Sequence, residues 1–374
     1  MTFRPHDPER VLVLQGGGAL GAYQGGVYEA LAAAGEHPDW VAGISIGAIN
    51  AALIAGNPPE RRVAQIQAFW EKITSGVTAD PWLPGDQIRA MFNAASAYWT
   101  AAVGVKGFFS PRIPPPSFYP PGAPQALSVY DTAPLKTTLE TYADFDLINA
   151  GKTRLSVGAV NIRTGNLIYF DNMKERIGPE HVMASGALPP GFPPVVIEGQ
   201  AYWDGGLVSN TPLHWVLDEE PRRDLTIYQI DLFPAAGPMP RTLMEAAERE
   251  KDIRYSSRTR ANTDAEKREK DLRAALGRLL KKLPASLKND ADAALLAEAN
   301  AQGAITVVQL IYADKPYEGG NKDYEFSRKT MLEHWHTGLA DGRHTMSHLD
   351  EIKAPCPPGI RTFDIHRAGR KMKS

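Results

Sequence analysis

The stretch Gly43-Ile44-Ser45-Ile46-Gly47 decides the fold that we expect for this chain, because it has the form G-x-S-x-G. The apolar residues 40–44 predict a short buried strand, and residues 48–55 predict a helix directly after the stretch. A serine between a strand and a helix stands on a sharp turn, where a Cβ on either neighbouring glycine would collide with these elements. The pattern therefore predicts a nucleophile elbow, with Ser45 as the nucleophile between its two glycines.

A glycine-rich turn, Gly16-Gly17-Gly18-Ala19-Leu20-Gly21, lies one short βα unit before the elbow. The apolar residues 11–14 predict the strand that leads into it, and residues 19–34 predict the helix that follows. The spacing also fits a dinucleotide-binding turn, but the second strand ends in Ser45 rather than in the acidic residue that such a site needs. We favour an oxyanion hole, in which the N–H groups of Gly16, Gly17 and Gly18 stabilise developing negative charge.

A carboxylate follows far downstream, where residues 200–203 predict a short strand that runs into Asp204-Gly205-Gly206. The alternative is an Asp-Gly turn at the surface, which is common. The apolar approach instead places Asp204 at the end of a buried strand, where desolvation raises the pKa of a carboxyl group and suits it to general base catalysis. A triad with a histidine such as His214 is the competing interpretation. The α/β-hydrolase fold that carries such a triad has several strands before its nucleophile, whereas here only one strand precedes the nucleophile strand. The sequence favours a Ser45–Asp204 dyad.

In this order, the elbow, the glycine-rich turn and the Asp-Gly-Gly triplet resemble the patatin-like acyl hydrolases, or patatin-type phospholipases. The resemblance covers roughly residues 9–235 and includes the proline-bearing segment at 184–194. It implies that Ser45 is the nucleophile, that Asp204 is its base, and that the amides of the glycine-rich turn hold the oxyanion. It also implies an α/β fold with a mixed, largely parallel sheet and helices on both faces.

The resemblance implies a serine acyl hydrolase that cleaves carboxylic esters of lipids through an acyl-serine intermediate, with no metal and no organic cofactor. A non-catalytic lipid-binding or scaffold protein and an acyltransferase remain as alternatives. The chain departs from the family at Leu20, where members often carry Arg or Lys that could hold a phosphate. We therefore expect neutral esters to be better substrates than charged phospholipids.

Composition limits the partners and the compartment. With 374 residues, of which 43% are hydrophobic, the chain can bury one large core or two modest ones. The formal net charge of −2 argues against nucleic acid as a partner. The single cysteine, Cys356, fits a reducing compartment, and the polar, proline-broken residues 1–10 do not have the pattern of a signal peptide. We expect a cytoplasmic protein, with peripheral membrane contact and homo-oligomers left open.

Residues 76–127 break the pattern of alternating strands and helices, and we expect a long irregular insert there. Its aromatic residues argue against disorder and predict a cap that forms an acyl pocket, with a loop packed on the core as the alternative. These aromatic residues are Trp82, Trp99, Phe108, Phe109, Phe118 and Tyr119.

The rest of the chain divides into a catalytic core at 9–235 and a mainly helical C-terminal extension at 236–374. Strands are predicted at 154–162, 166–170, 195–197 and 225–232 within the core, and one more at 304–312 in the extension. Helices are predicted at 60–75, across a charged arm at 240–300, and at 325–349. The leucines of 272–283 share one helical face, which fits a packed helix and, less well, a helix at a membrane interface.

Overall fold

The computed structural model describes residues 8–81, 83–219, 223–287, 290–299, 303–313, 315, 317–357 and 359–364. Residues 1–7 of the N-terminal segment and Trp82 of the insert, which the sequence analysis considered, lie outside the described residues.

Eleven strands are present in this described part, nine of them in one sheet and two in a small hairpin. In chain order they are β1 (Glu9–Leu14), β2 (Trp40–Gly43), β3 (Ser110–Pro111), β4 (Tyr130–Asp131), β5 (Arg154–Asn161), β6 (Leu167–Asp171), β7 (Val195–Ile197), β8 (Gln200–Asp204), β9 (Leu225–Asp231), β10 (Ala304–Ile311) and β11 (Gly359–Asp364). The hairpin is β3 with β4.

Twelve α-helices are seen over the same described ranges. They are α1 (Gly21–Ala33), α2 (Ile46–Ala55), α3 (Pro59–Ile73), α4 (Asp86–Val103), α5 (Ala133–Tyr142), α6 (Phe145–Asn149), α7 (Pro179–Ser185), α8 (Leu213–Glu219), α9 (Leu243–Leu280), α10 (Ala291–Ala299), α11 (Arg328–Met346) and α12 (Leu349–Ile352). None of the described helices is long and apolar enough to cross a membrane.

The main sheet has the order β11-β10-β9-β1-β2-β5-β8-β7, and β6 also pairs with β5. All pairs from β11 to β5 are parallel, and the pairs that involve β6, β7 and β8 are antiparallel. This confirms the predicted mixed, largely parallel sheet.

Helices cover both faces of the sheet. Because successive side chains of a strand point in opposite directions, each central strand contributes to a hydrophobic cluster on either face. On β1, Leu12 and Leu14 join the larger hydrophobic cluster, which includes side chains of α1, α2 and α3. Val11 and Val13 join the smaller cluster on the other face, which includes α8. A strand buried on both faces reads as a continuous apolar run, which is why the sequence predicted this strand correctly.

The C-terminal part is mainly helical, as expected, but it adds two strands to the sheet where the sequence predicted one. β10 pairs with β9 and lies close to its predicted bounds, while β11 was missed. Only Ile360 and Phe363 of β11 are buried, so this strand shows neither strict alternation nor a continuous apolar run.

Helix α11 from the C-terminal part packs closely along α1, which begins at the glycine-rich turn. Glycines make this approach possible, because a Cβ at Gly26 would overlap the carbonyl oxygen of Trp335, and one at Gly338 would overlap that of Tyr23. The C-terminal part thereby helps to fix the helix that starts at the candidate site.

The expectation of an irregular insert at 76–127 was wrong for α4, an 18-residue helix. Its buried face is largely polar, and it packs on the C-terminal part through contacts such as Arg89 to Thr330 at 2.7 Å and Asn93 to the carbonyl oxygen of Tyr317 at 3.3 Å. Four of its large apolar residues, Met91, Tyr98, Trp99 and Val103, are exposed instead, which is the reverse of the amphipathic pattern that identifies a surface helix in a sequence.

Candidate active site

Ser45 stands on a strained turn between β2 and α2, as the G-x-S-x-G pattern predicts. Its φ and ψ are 55° and −123°, and only one other non-glycine residue in the described part of the chain has a positive φ. Such a conformation costs about 1–3 kcal/mol and persists only where the surrounding structure enforces it. A Cβ at Gly43 would overlap the carbonyl oxygen of Gly47, and a Cβ at Gly47 would overlap that of Leu14, so both flanking positions require glycine.

A second serine fixes the backbone of the turn. The N–H of Ser45 donates to Oγ of Ser185 at 3.0 Å, and the hydroxyl of Ser185 donates to the carbonyl oxygen of Gly158 at 2.6 Å. Ser185 is fully buried. It belongs to the proline-bearing segment, but the sequence analysis gave it no role.

The pairing of β5 brings Asp204 to Ser45. β6 lies along one edge of β5, so β2 and β8 must share the other edge. Gly43 at the end of β2 is opposite Val157, and Asp204 at the end of β8 is opposite Ala159, two residues further along. The two strands run in opposite directions and end almost head to head. This places Ser45, two residues after the end of β2, near Asp204, the last residue of β8.

The carboxyl group of Asp204 is buried and hydrogen-bonded. Asp204 is 3% exposed, and its Oδ1 accepts the N–H of Gly206 at 2.7 Å. Burial raises its pKa to about 6, while the hydrogen bonds with Gly206 and with the Ser45 side chain lower it by less. A Cβ at Gly205 would lie 2.6 Å from the carbonyl oxygen of Gly158, which explains the first glycine of the triplet.

The glycine-rich turn lies beside the elbow, but its three glycines differ in what their N–H groups can do. Gly16 donates its N–H to the carbonyl oxygen of Asn210 at 3.1 Å, and it accepts the side-chain amide of Asn210 at 2.9 Å. The expectation that Gly16 is an oxyanion donor is therefore wrong, because its N–H is already bonded. Within the described residues no acceptor is seen for the N–H of Gly17 or Gly18, and both glycines are partly exposed to the cavity.

Buried polar side chains that the sequence analysis did not assign hold this turn. Oε1 of Gln15 accepts the N–H of Leu232 at 2.6 Å, and its Nε2 donates to Thr211 Oγ1 at 3.0 Å. The carbonyl oxygen of Gln15 accepts the side-chain amide of Gln24 at 2.7 Å. A glutamine directly after a buried apolar strand was the available signal, because a buried amide needs partners.

His214 is not part of the site. It lies on the exposed side of α8, 60% exposed, with Nε2 3.1 Å from Oδ2 of Asp218. No histidine lines the cavity beside Ser45 among the residues that the structure describes.

A cavity of about 500 Å³ opens beside Ser45 and Asp204, and aromatic side chains form much of its wall. Phe108 and Phe109 of the insert are buried there, with the ring of Phe109 4.8 Å from that of Tyr130 and 5.1 Å from that of Phe192. Phe118 is 76% exposed and is not part of the wall. The insert thus contributes both to the pocket and to the outer surface.

The C-terminal part also lines the cavity. It contributes four residues, which are Tyr255, Asp323, Tyr324 and Phe326. The cavity is therefore built from segments that are far apart in the sequence.

Leu20 does not face the cavity, so the argument that linked it to phosphate recognition was wrong. The 3₁₀ turn Gly18–Leu20 directs its side chain into the large hydrophobic cluster, where Leu20 is 0% exposed. A charged residue at this position would lie in the core rather than beside the substrate.

Comparison with known proteins identifies the family of this chain. A family model described as patatin-like phospholipase matches residues 12–217, more than half of the chain. The chain belongs to the patatin-like phospholipase family. A second family model, described as patatin phospholipase, matches residues 253–357 of this family member.

Two solved structures are similar to this patatin-like protein. VipD from Legionella pneumophila is 13% identical with a TM-score of 0.39, over 91% of this chain and 67% of that one. The type III effector protein ExoU is 12% identical with a TM-score of 0.36, over 94% of this chain and 54% of that one. A search of curated proteins found no match to the sequence.

Proposed function

We propose that this member of the patatin-like phospholipase family is a serine acyl hydrolase that cleaves carboxylic esters of lipids with a Ser45–Asp204 dyad. The observation that carries the proposal is the buried carboxyl group of Asp204, whose pKa the side chain of Ser45 helps to set, beside a strained elbow at the edge of an aromatic cavity. A buried group with a perturbed pKa in such a cavity is a candidate for catalysis.

In the first half of the proposed reaction, Oγ of Ser45 attacks the carbonyl carbon of the ester while Asp204 accepts the hydroxyl proton. The N–H groups of Gly17 and Gly18 stabilise the negative charge on the carbonyl oxygen. The tetrahedral intermediate collapses, the bond to the alcohol oxygen breaks, and Asp204 returns the proton to the leaving alcohol. The acyl group remains on Ser45.

In the second half, water attacks the acyl carbon, and Asp204 accepts a proton from it. Collapse breaks the bond to Oγ of Ser45, which recovers the proton from Asp204, and the fatty acid leaves. Each proton that Asp204 accepts is returned in the same half-reaction, so its environment must support both protonation states. A pKa of about 6 does so near neutral pH.

A fluorophosphonate probe tests the nucleophile directly, because it reacts with activated serines. We expect the probe to label the wild-type protein and not the Ser45→Ala variant, while His214→Ala, a change at the exposed histidine, leaves labelling intact. Labelling that survives Ser45→Ala would remove Ser45 from the mechanism. An unlabelled wild-type protein would favour the non-catalytic alternative.

We also propose that the chain divides into a catalytic core at 9–235 and a C-terminal extension at 236–374, which contribute differently to the site. The first segment carries both residues of the dyad, and the second supplies one wall of the cavity and two strands of the sheet. We also keep the prediction of a cytoplasmic protein that contacts membranes peripherally.

The outer face of α4 is our candidate for membrane contact. It exposes four large apolar side chains between 51% and 78%, namely Met91, Tyr98, Trp99 and Val103. Tyrosine and tryptophan prefer the interface between water and lipid, and Thr100 and Ala101 of the same helix line the cavity. We expect Tyr98→Ser with Trp99→Ser to reduce sedimentation with phosphatidylcholine vesicles.

A matched pair of changes on the charged arm serves as the control. Leu272→Ser with Leu279→Ser also removes two exposed apolar side chains, 65% and 60% exposed, and should leave vesicle binding unchanged. The reverse result would assign membrane contact to the arm instead of α4. Equal binding by all three proteins would remove both surfaces.

A further inference from the structure

We propose that an ion pair between Asp323 and Lys251 sets the charge selectivity of the candidate site, so that it favours esters without an anionic group. The inference rests on the proposed ester hydrolysis at Ser45. Asp323 lies in the 3₁₀ turn Lys322–Tyr324 and lines the cavity. Nζ of Lys251, on α9, lies 2.5 Å from Oδ1 of Asp323, and both side chains are about a quarter exposed.

The turn that carries Asp323 packs directly against the candidate oxyanion donors. Gly18 has a φ of +54°, and a Cβ there would overlap the carbonyl oxygen of Asp323. The backbone of this residue is therefore close to the place where the ester carbonyl and its substituents must lie during the reaction, and its carboxylate belongs to the same short turn.

A buried ion pair fixes the turn in this position. The side chain of Lys322 is 0% exposed, and its Nζ lies 2.8 Å from Oδ1 of Asp252 and 3.8 Å from Oε1 of Glu248. Removing either partner of such a pair leaves an uncompensated buried charge, so the arrangement holds the turn firmly on α9. The backbone of Asp323 is consequently held in contact with Gly18.

The charged groups around the cavity are of one sign. Asp204 and Asp323 line it, and over the described residues no Lys, Arg or His does. Of the two members of the ion pair, Asp323 is a residue of the wall and Lys251 is not. The Asp323 charge also acts on the neighbouring Tyr324. Burial is the largest cause of the raised pKa of Tyr324, and the charge of Asp323 is the next largest.

An anionic group on the substrate would therefore approach a wall that includes the acidic residue Asp323 but not its cationic partner Lys251. The expectation that neutral esters are preferred is the one that the sequence analysis reached through Leu20. Because Leu20 is buried in the core, that argument fails, and Asp323 provides a different cause for the same preference.

Two short-chain substrates test the proposal, because they share both acyl chains and carry either a neutral hydroxyl group or an anionic phosphate group at the third glycerol position. The protein is assayed with 1,2-dihexanoylglycerol and with 1,2-dihexanoyl phosphatidic acid, both below the concentration at which they aggregate. The measured quantity is the ratio of kcat/KM for the neutral substrate to that for the anionic substrate. We expect the wild-type protein to prefer the neutral one.

Two substitutions that break the same ion pair should move this ratio in opposite directions. Asp323→Asn removes the negative charge and leaves Lys251, so the preference should fall by about three- to tenfold, as expected for one charge several ångströms from the ligand in a partly exposed site. Lys251→Met leaves Asp323 uncompensated and should raise the preference by a similar factor. The double variant should return close to the wild-type ratio, and high salt should reduce all these differences.

The opposite signs separate an electrostatic role from a structural one, because loss of packing would affect both single variants alike. Glu250→Gln is the matched control, since it removes a carboxylate from the exposed Glu250–Arg254 pair on the same helix and should leave the ratio unchanged. Shifts in the same direction, or an unchanged ratio in active variants, would overturn the proposal. A wild-type protein that hydrolyses neither ester and resists the fluorophosphonate probe would overturn the proposed function itself, and the selectivity with it.

Discussion

Asp204→Asn should abolish turnover and, at neutral pH, stabilise the protein. Asparagine has the same shape as aspartate, and its side-chain oxygen can still accept the N–H of Gly206 that Oδ1 accepts at 2.7 Å. It cannot accept a proton from Ser45, so we expect kcat to fall by about 10²–10⁴-fold, the usual contribution of a general base.

The size of the stabilisation follows from the pKa of Asp204, which burial raises from 3.8 to about 6 in the folded protein. The folded state therefore binds the proton more tightly than the unfolded state does, and the wild-type protein loses stability as the pH rises from about 4 through about 6. A shift of roughly two units corresponds to about 3 kcal/mol. Asparagine carries no charge at any pH and avoids this loss.

The assay is thermal unfolding of both proteins between pH 4 and pH 8. For a chain of 374 residues that unfolds as one unit, about 3 kcal/mol corresponds to roughly 4 °C in Tm. The variant should exceed the wild type by about this amount at pH 7–8, and the difference should shrink towards zero near pH 4. A difference that does not change with pH, or a variant that keeps its activity, would refute the assignment of Asp204 as a buried base.

Three further predictions follow from the same geometry. The kcat/KM of the wild-type protein should rise with pH and reach half of its maximum near pH 6, because Asp204 must be deprotonated to accept a proton; a profile governed by a group near pH 8 would contradict this. Leu20→Arg should unfold the protein or lower its Tm strongly, since it buries a guanidinium group in the core; a stable variant with better phospholipid turnover would restore the original argument for position 20. Within a series of p-nitrophenyl esters, each added CH₂ should raise kcat/KM by up to about fourfold until the cavity is filled, and Phe109→Ala should move the optimum to longer chains; a flat series would remove the aromatic cavity as the acyl site.

The elbow and the general fold could be predicted because their signals are local. A G-x-S-x-G between an apolar run and a helix-forming run leaves few conformations open, and the structure has Ser45 at a positive φ there. β1 shows as a continuous apolar run at residues 11–14, because this part of the strand is buried on both faces. Nothing local indicated that β2 and β8 share one edge of β5, which is what brings Asp204 to Ser45.

The wrong predictions concern α4, Leu20 and Gly16. At α4, burial does not follow the usual relation between side-chain polarity and position. In α4 the buried residues are mostly polar, because its partners in the C-terminal part are polar groups such as Glu333 and the Tyr317 carbonyl oxygen. The resemblance suggests that a cation at position 20 would hold a phosphate, but the 3₁₀ turn that begins at Gly18 directs Leu20 inwards. Gly16 was treated as a free donor, and only the fold shows that Asn210 occupies its N–H.

The candidate site separates its chemistry from its selectivity along the chain. The elbow, the glycine-rich turn and Asp204 all lie within the first matched segment, at 12–217, and meet at the ends of neighbouring strands. The residues that we propose to set charge selectivity lie beyond it, on α9 and on the turn that α9 holds against Gly18. Because α9 and that turn carry neither the nucleophile nor its base, substitutions at Asp323 or Lys251 can alter which esters enter while the dyad and its strained turn stay unchanged.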